Sequence, residues 1–195
     1  MNMRTLRAIE FASLDGVIQA PGHPEEDTEG GFRHGGWQRE YVDDVLGAAA
    51  AAGMASTDAY LFGRKTFTAM AAYWPTVSDD DPYARHLNAT PKYVASRSLR
   101  DVSWKGSTVI DGDVAAAVAD FKRQDGGNIA VLGSGALVRT LLAYELVDEL
   151  FLTVFPIIIG SGKRLFGDAD RPTKLSLVAS RSTSTGGVML TYRHV

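Results

Sequence analysis

The stretch LFGRKTF, residues 61–67, decides the fold class of this chain. The apolar run DAYLFG (58–63) predicts a buried strand that ends at a glycine. The next residues, RKTFTAMAAYW (64–74), predict a helix that stops before Pro75, because a residue preceding proline disfavours helical geometry. A strand that passes through a glycine into a helix is typical of α/β domains. Taken alone, the junction is either an anion site or a basic turn.

Strands and helices alternate along most of the chain. Further strands are predicted within residues 4–11, 92–96, 107–112, 128–135 and 147–159, with two more within 174–195. Further helices are predicted within 39–57, 78–91, 113–127 and 136–146, and 21–36 is a long loop rich in Gly, Pro and acids. The sequence therefore predicts one three-layer α/β domain over residues 1–195. It has a mostly parallel central sheet, helices on both faces and a C-terminal antiparallel hairpin that turns at Gly186-Gly187.

Composition narrows the class of partner. The formal net charge of -3 gives no reason to expect nucleic acid. The chain has no cysteine, which excludes disulfides and thiolate metal sites. No apolar run approaches the roughly 18 residues of a membrane span, and the first residues lack the apolar core of a signal peptide. We expect a soluble cytoplasmic protein that binds a small molecule, with no membrane or metal partner.

Three predicted strand ends carry residues suited to phosphate. They are Gly63-Arg64-Lys65-Thr66, Ser96-Arg97 and Gly133-Ser134-Gly135. In α/β sheets ligands bind beyond the carboxyl ends of the strands, and a helix that begins there offers free N–H groups to an anion. Each stretch by itself is more often a simple turn, and the last lacks the third glycine of a dinucleotide fingerprint because Val138 stands there. Three together favour a nucleotide with several phosphates.

The order of these stretches resembles the dihydrofolate reductase fold. Gly-Arg-x-Thr, Ser-Arg and Gly-x-Gly follow one another, and SLDGVI (13–18) resembles the turn after the first strand of that family. The stretch LVDELFLTVFPIIIGSGKRLF (146–166) resembles more closely the C-terminal reductase domain of the bifunctional riboflavin biosynthesis deaminase-reductase and its stand-alone relatives. The resemblance extends over nearly the whole chain. The deaminase half is not expected, because its zinc site needs cysteines.

This resemblance implies NADPH as cofactor and hydride transfer to a heterocycle or carbonyl-type carbon. By this resemblance, Gly63, Arg64 and Thr66 would bind the cofactor phosphates, and Gly133, Ser134 and Gly135 would bind the pyrophosphate. Ser96 and Arg97 would contact the 2′-phosphate. Ile18 would lie near the nicotinamide. Lys65 stands at the variable position of Gly-Arg-x-Thr and receives no role. Asp15 in the D-G turn is interpreted as structural, because Asp in such turns bonds nearby backbone.

The substrate side of the site is less specific. Folate reductases carry a proton-donating acid in the first helix, five residues beyond a tryptophan, and that spacing from Trp37 leads to Val42. Asp43 is one residue later and is the candidate catalytic acid, although it is equally an ordinary helix N-terminal acid. Trp37 and Thr153 are the candidate substrate contacts.

The resemblance leaves the reaction open between three alternatives. A reductase like the 5-amino-6-(5-phosphoribosylamino)uracil reductase of the riboflavin pathway is the first, and dihydrofolate reduction is the second. A non-catalytic NADP-binding or interaction protein with the same fold is the third. The apolar stretch FPIII (155–159) is expected to be a buried strand and part of a homodimer contact.

Overall fold

The computed structural model describes residues 3–167 and 172–195 as one mixed sheet with helices on both faces. The strands are β1 (Leu6–Ser13), β2 (Thr57–Gly63), β3 (Lys92–Ala95), β4 (Ser107–Ile110), β5 (Asn128–Leu132), β6 (Glu149–Phe155), β7 (Leu175–Ser182) and β8 (Val188–His194). The α-helices are α1 (Asp44–Ala55), α2 (Arg64–Tyr73), α3 (Pro82–Ala89), α4 (Val114–Lys122) and α5 (Gly135–Ala143).

The sheet order is β4-β3-β2-β5-β1-β6-β8-β7. The six strands from β4 to β6 are parallel, and β8 is antiparallel to both β6 and β7. The predicted three-layer α/β fold with a C-terminal antiparallel hairpin is confirmed. Because β1 lies between β5 and β6, its carboxyl end lies at the centre of the edge where parallel sheets bind ligands.

Two apolar cores fill the space between the sheet and its helices. Helices α4 and α5 cover one face, where Val118 and Leu141 are fully buried against strand residues such as Leu6. Helices α2 and α3 cover the other face, where Phe67 and Leu87 pack with aromatic side chains of β2. Strand alternation divides β1 between these layers: Leu6, Ala8, Glu10 and Ala12 are buried, whereas the residues between them are partly exposed.

Local capping explains where several elements begin and end. Asp113 is the N-cap of α4 as predicted, since its Oδ1 accepts bonds from the N–H groups of Ala115 and Ala116 at 2.9 and 3.1 Å. The predicted helix from residue 39 is wrong in its start, because Asp43 is extended and caps a helix that begins at Asp44. Residues 39–41 form only a short 3-10 turn.

The stretch FPIII does not continue the strand. Strand β6 ends at Phe155, and Pro156, which cannot donate to the ladder, marks that end. Phe155 is fully buried, whereas Ile158 is 72% exposed. The expected buried strand through Ile159 is therefore wrong, and the apolar side chains beyond Pro156 leave the sheet. No helix among residues 3–167 and 172–195 is long and apolar enough to span a bilayer.

Candidate functional site

A large cleft borders the carboxyl ends of the central strands. Its volume is about 2630 Å³, well above the roughly 300–1000 Å³ of a pocket for one small ligand. The cleft is therefore larger than one small ligand requires. It is lined by most of the residues predicted from the sequence: Ile18, Gly63, Arg64, Thr66, Arg97, Gly133, Ser134, Gly135 and Thr153.

Two helix N-termini meet in this cleft. Helix α2 begins directly after Gly63 and α5 begins at Gly135, and neither has a side-chain cap. The N–H of Gly63 donates to Ser134 Oγ at 3.0 Å, which joins the two junctions. The first N–H groups of a helix have no partner within it and carry a partial positive charge. The pair of junctions thus presents two sets of backbone donors to one anion-binding region.

The two junctions lie within van der Waals range of each other. A Cβ on Gly63 would lie 3.5 Å from Ser134 Cβ, and a Cβ on Gly133 would lie 3.7 Å from Thr66 Cγ2. Gly133 and Ser134 both have positive φ angles, of 53° and 65°, so the loop turns sharply before α5. This narrow cradle with exposed backbone donors fits a diphosphate, and Arg64 and Thr66 add a cation and a hydroxyl.

Ser96 and Arg97 have different surroundings. Ser96 is buried, and its Oγ accepts bonds from the N–H groups of Ser98 and Leu99 at 3.2 and 2.9 Å, so it orders the turn after β3. Arg97 is exposed at the edge of the cleft, and among the described residues it has no ion-pair or hydrogen-bond partner. A guanidinium without a partner can bind a phosphate group of a ligand bidentately.

Ile18 is fixed against the start of α5. Its N–H donates to the carbonyl of Lys163 at 2.8 Å. Its Cδ1 lies only 2.2 Å from the position that a Cβ on Gly135 would occupy, so the glycine makes room for this side chain. Ile18 therefore forms an apolar wall beside the Gly-Ser-Gly loop.

Asp15 has the structural role that its turn predicted. Its carboxylate accepts bonds from Ser13 Oγ at 2.7 Å and from the N–H groups of Ile159 and Gly160 at 3.0 and 2.9 Å. The Ser13 bond, followed by these backbone bonds, holds the pKa of Asp15 well below its usual range. The D-G turn is thereby tied to the segment after β6.

Asp43 and Trp37 lie outside the described lining of the cleft. Asp43 Oδ1 accepts the N–H of Leu46 at 2.9 Å, and Oδ2 accepts the N–H and the hydroxyl of Ser184, both at 2.6 Å. The Ser184 hydroxyl is the main cause that lowers the pKa of Asp43. Trp37 is buried and donates its indole N–H to the carbonyl of Gln19 at 2.8 Å. Both side chains stabilise the fold here, and their roles toward substrate stay predictions. Thr153 is buried and does line the cleft.

Glu10 is a cleft residue that sequence reasoning missed. It is only 2% exposed, and its Oε1 has no hydrogen-bond partner among the described residues. Burial raises the pKa of Glu10 to about 8, although the positive charge of Arg139 acts in the opposite direction. The available signal was the alternation of RTLRAIEF, which places a carboxyl group at a core-facing position of the first strand.

Lys65 and the acidic loop form an ion-pair network at the rim. Glu29 pairs with Lys65 and with Lys163, and Lys163 also pairs with Asp27. These contacts join the loop at 21–36 to the start of α2 and to the segment at 160–164. Lys65 thus has a partner within the protein. Among the described residues, no three His, Asp or Glu side chains cluster in a way that could hold a metal ion.

The match with known families covers almost the whole chain. Residues 4–189 match the family described as RibD C-terminal domain. The chain belongs to the RibD C-terminal domain family. The uncharacterized protein YyaP of Bacillus subtilis (strain 168), one similar protein, is 30% identical over 138 residues, which cover 69% of this chain and 73% of YyaP.

Solved structures show the fold of this RibD C-terminal domain in other proteins. A putative riboflavin biosynthesis protein from Shewanella sp. PV-4 superposes with a TM-score of 0.72 at 21% identity, covering 98% of this chain and 99% of that one. Dihydrofolate reductase from Enterococcus faecalis, in complex with NADP(H) and RAB-propyl, superposes with a TM-score of 0.60 at 17% identity, covering 97% and 96%. The chain therefore has a dihydrofolate reductase-like fold, as its motif order predicted.

Proposed function

We propose that this chain is an NADPH-dependent reductase that transfers a hydride to a small heterocyclic substrate. The observation that carries the proposal is the convergence of two uncapped helix N-termini, joined by the Gly63–Ser134 bond, in a cleft that is also lined by Arg97, which has no partner among the residues that the structure describes. Family membership supports it, since the family is named for a riboflavin-pathway reductase domain. The complex of the similarly folded reductase with NADP(H) supports the choice of cofactor.

Different residues of the cleft would bind different parts of the cofactor. Gly63, Arg64 and Thr66 at the start of α2, with the Gly133–Gly135 loop, would hold the diphosphate. Arg97 would bind the 2′-phosphate, on a turn that Ser96 orders. Ile18 would place the nicotinamide ring and exclude water from it. The cofactor supplies the hydride, and the protein supplies orientation and a dry environment.

The volume of the cleft supports a second reactant next to the cofactor. The Thr153 face of the sheet borders that space, together with Phe11 and Phe151. A flat heterocycle fits between such apolar walls, and the substrate that the family favours is 5-amino-6-(5-phosphoribosylamino)uracil or a close analogue. Dihydrofolate is the second candidate, favoured by the likeness to the Enterococcus faecalis reductase. A non-catalytic NADP-binding or interaction protein with the same fold is the third.

Cofactor selectivity tests the proposal first. We expect Arg97→Ala to weaken NADPH about tenfold or more while NADH changes little, because a charge-assisted contact to the 2′-phosphate is lost. Fluorescence titration of both dinucleotides measures this. Arg100→Ala is the matched control, since Arg100 is an exposed arginine three residues later that does not line the described cleft. Equal weakening of NADPH and NADH would contradict the role of Arg97.

Assays of turnover distinguish the three candidate functions. The absorbance of reduced nicotinamide is followed with the ribosylaminopyrimidine compound and, separately, with dihydrofolate. Consumption with the first compound alone supports the riboflavin-type reductase, and consumption with dihydrofolate supports the second candidate. Binding of NADPH without turnover of either would favour the non-catalytic protein. Failure to bind NADPH would overturn both reductase candidates and leave an interaction protein with the same fold.

A further inference from the structure

We propose that Arg181 binds an acidic group of the substrate, and that the substrate is a flat ring with a tail that ends in a phosphate or a carboxylate, an inference that rests on the proposed function. Both candidate substrates have this chemistry. The ribosylaminopyrimidine compound carries a ribosyl phosphate, and dihydrofolate carries the carboxylates of its glutamate. Arg181 lies on β7, at the far end of the sheet from the predicted cofactor loop.

The strand register arranges the substrate face of the sheet in three rows of side chains. Residues that pair across neighbouring strands point to the same face, and every second residue along a strand returns to it. From β1 through β6 and β8 to β7, the first row is Arg7, Glu149, Arg193 and Ser176, the second is Ile9, Phe151, Thr191 and Ala179, and the third is Phe11, Thr153, Met189 and Arg181. All members of the second and third rows line the cleft. Arg181 therefore shares the cleft face with Phe11 and Thr153.

A β-bulge decides which residue of β7 takes this place. The register of β7 shifts by one residue between Leu177 and Ala179, where Val178 is the extra residue. If the pairing before the bulge continued, Ser180 would face the cleft, because a one-residue slip moves every side chain to the opposite face. With the bulge, Arg181 takes that position. Bulges occur often beside active sites, where they re-aim a side chain.

Arg181 differs from the other arginines of this face in its lack of an acidic partner. Glu149 engages both Arg7 and Arg193, with its carboxylate oxygens 2.8 Å from Arg7 Nε and 2.7 Å from Arg193 Nη2. Arg181 is exposed in the cleft, and it has no ion-pair or hydrogen-bond partner within residues 3–167 and 172–195. Its guanidinium is therefore available to a phosphate or a carboxylate of a ligand, which it can bind bidentately.

Two hydroxyl groups lie between the aromatic wall and Arg181. Thr153 and Thr191 are on adjacent strands, and neither hydroxyl has a hydrogen-bond partner in the part of the chain that the structure describes. Only β8 separates β6 from β7, so the backbones of Thr153 and Arg181 are roughly 10 Å apart. The order of chemistry along the face is apolar at Phe11 and Phe151, then hydroxyl, then cationic. A ring, a polar link and an acidic end group match this order.

Binding measurements test Arg181 without any turnover. Calorimetry on protein saturated with NADP+ gives the Kd of each candidate substrate and of a neutral counterpart, the dephosphorylated ribosyl compound or the diamide of dihydrofolate. In the wild type, we expect one acidic compound to bind about tenfold or more tightly than its neutral counterpart. Arg181→Ala should abolish this preference by weakening the acidic form alone, while the Kd for NADPH changes little. The pair that shows the preference identifies the end group as phosphate or carboxylate.

Three further variants separate recognition from a general effect of charge. Arg193→Ala removes an arginine of the same face that is already paired and lies outside the described lining of the cleft, so the preference should remain. The double variant Ser180→Arg with Arg181→Ser keeps the charge but turns the guanidinium to the opposite face, so it should behave like Arg181→Ala. Arg181→Lys should keep part of the preference, because lysine offers a cation without bidentate geometry.

Different outcomes would overturn the role of Arg181 and the proposed function. An unchanged preference in Arg181→Ala, or one that survives in the double variant, would overturn the role of Arg181 alone. A wild type that binds NADPH but prefers neither acidic compound would overturn the substrate class. Failure to bind NADPH would instead overturn the proposed function. Where a compound is reduced, a higher KM with little change in kcat in Arg181→Ala supports a contact remote from the reacting atoms, and the reverse contradicts it.

Discussion

Two carboxyl groups show how one side-chain type takes opposite roles in this molecule. Asp43 lies where a helix begins, and backbone and hydroxyl donors surround its carboxylate. Glu10 lies within the sheet, and its Oε1 has no donor among the described residues. Hydrogen bonds favour the charged form of the first, and burial favours the neutral form of the second. The local environment, rather than the residue type, decides which acid holds a proton.

Glu10 should make stability depend on pH. Its folded pKa of about 8 exceeds the ordinary value of 4.5, so between these values the folded protein keeps a proton that the unfolded chain has released. The stabilising contribution is full below pH 4.5 and is lost as pH rises through 8. Glu10→Gln lacks this component, whose slope is at most about 1.4 kcal/mol per pH unit. Denaturation of both proteins from pH 5 to 9 measures the difference, and parallel curves would contradict it.

Asp43 should matter for stability and not for chemistry. We expect Asp43→Ala to lower Tm, because α1 loses its N-cap and the helix start loses its bonds to the β7–β8 turn at Ser184. Asp44→Ala is the control, since it removes one acid from the same turn of the helix without removing that cap. Thermal unfolding and NADPH oxidation are compared for both variants. A selective loss of kcat in Asp43→Ala, with Tm unchanged, would return Asp43 to the catalytic role predicted from the sequence.

The loops that border the cleft depend on close contact between three segments. Gly162 has a φ angle of +110°, and a Cβ there would lie 2.7 Å from Phe32 Cε2 and 3.0 Å from Val17 Cγ1. Phe32 belongs to the long loop, and Val17 belongs to the turn after β1. The glycine therefore allows three segments to pack at the rim where Lys163 meets Asp27 and Glu29.

A matched pair of glycines tests this packing. Gly160 also has a positive φ, of +84°, but a Cβ there would meet nothing within 4 Å. Both Gly160→Ala and Gly162→Ala strain the backbone by about 1–3 kcal/mol, and only the second displaces Phe32 and Val17. We expect the free energy of unfolding to fall by about 1 kcal/mol more in Gly162→Ala, as measured by chemical denaturation. Equal decreases in the free energy of unfolding would contradict a contribution of the Phe32 contact to stability.

The whole molecule leaves an apolar surface on its antiparallel side. Ile158, Leu177, Val178 and Val188 are 72%, 54%, 48% and 37% exposed, and all lie on the β7–β8 hairpin or just beyond β6. An interaction surface needs exposed apolar side chains, and this side of the molecule supplies them. We propose, as the sequence predicted for FPIII, that this region forms a homodimer contact.

Charge placed in that surface tests the dimer. We expect the wild type to sediment as a dimer and Val178→Glu to sediment as a monomer, because a carboxylate in a dimer contact must lose its water. Tyr144→Glu is the control, since Tyr144 is 64% exposed at the end of α5, away from the hairpin. Analytical ultracentrifugation compares the three proteins. A monomeric wild type, or a dimeric Val178→Glu, would contradict this contact.

The pattern of residues by itself determined the order of strands and helices, the α/β class and the three strand ends that are predicted to bind phosphate. These features depend on local periodicity, glycines and capping residues, which act over a few neighbouring positions. Because parallel strands end at the same edge of a sheet, these local features also led to the prediction of one shared cleft. That cleft is lined by Gly63, Arg64, Thr66 and the Gly133–Gly135 loop.

Only the tertiary structure decided which of the two acids, Asp43 or Glu10, keeps its proton near neutral pH. The carboxylate of Asp43 accepts a hydrogen bond from Ser184, which lies 141 residues away in the sequence. Glu10 owes its raised pKa to burial beneath α5 and beside β6. Likewise, Lys65 is paired with Glu29 at the rim of the cleft, whereas Arg97 has no partner among the described residues. Burial and long-range pairing depend on segments that are distant in sequence, so local patterns cannot show whether a charged side chain is free to meet a ligand.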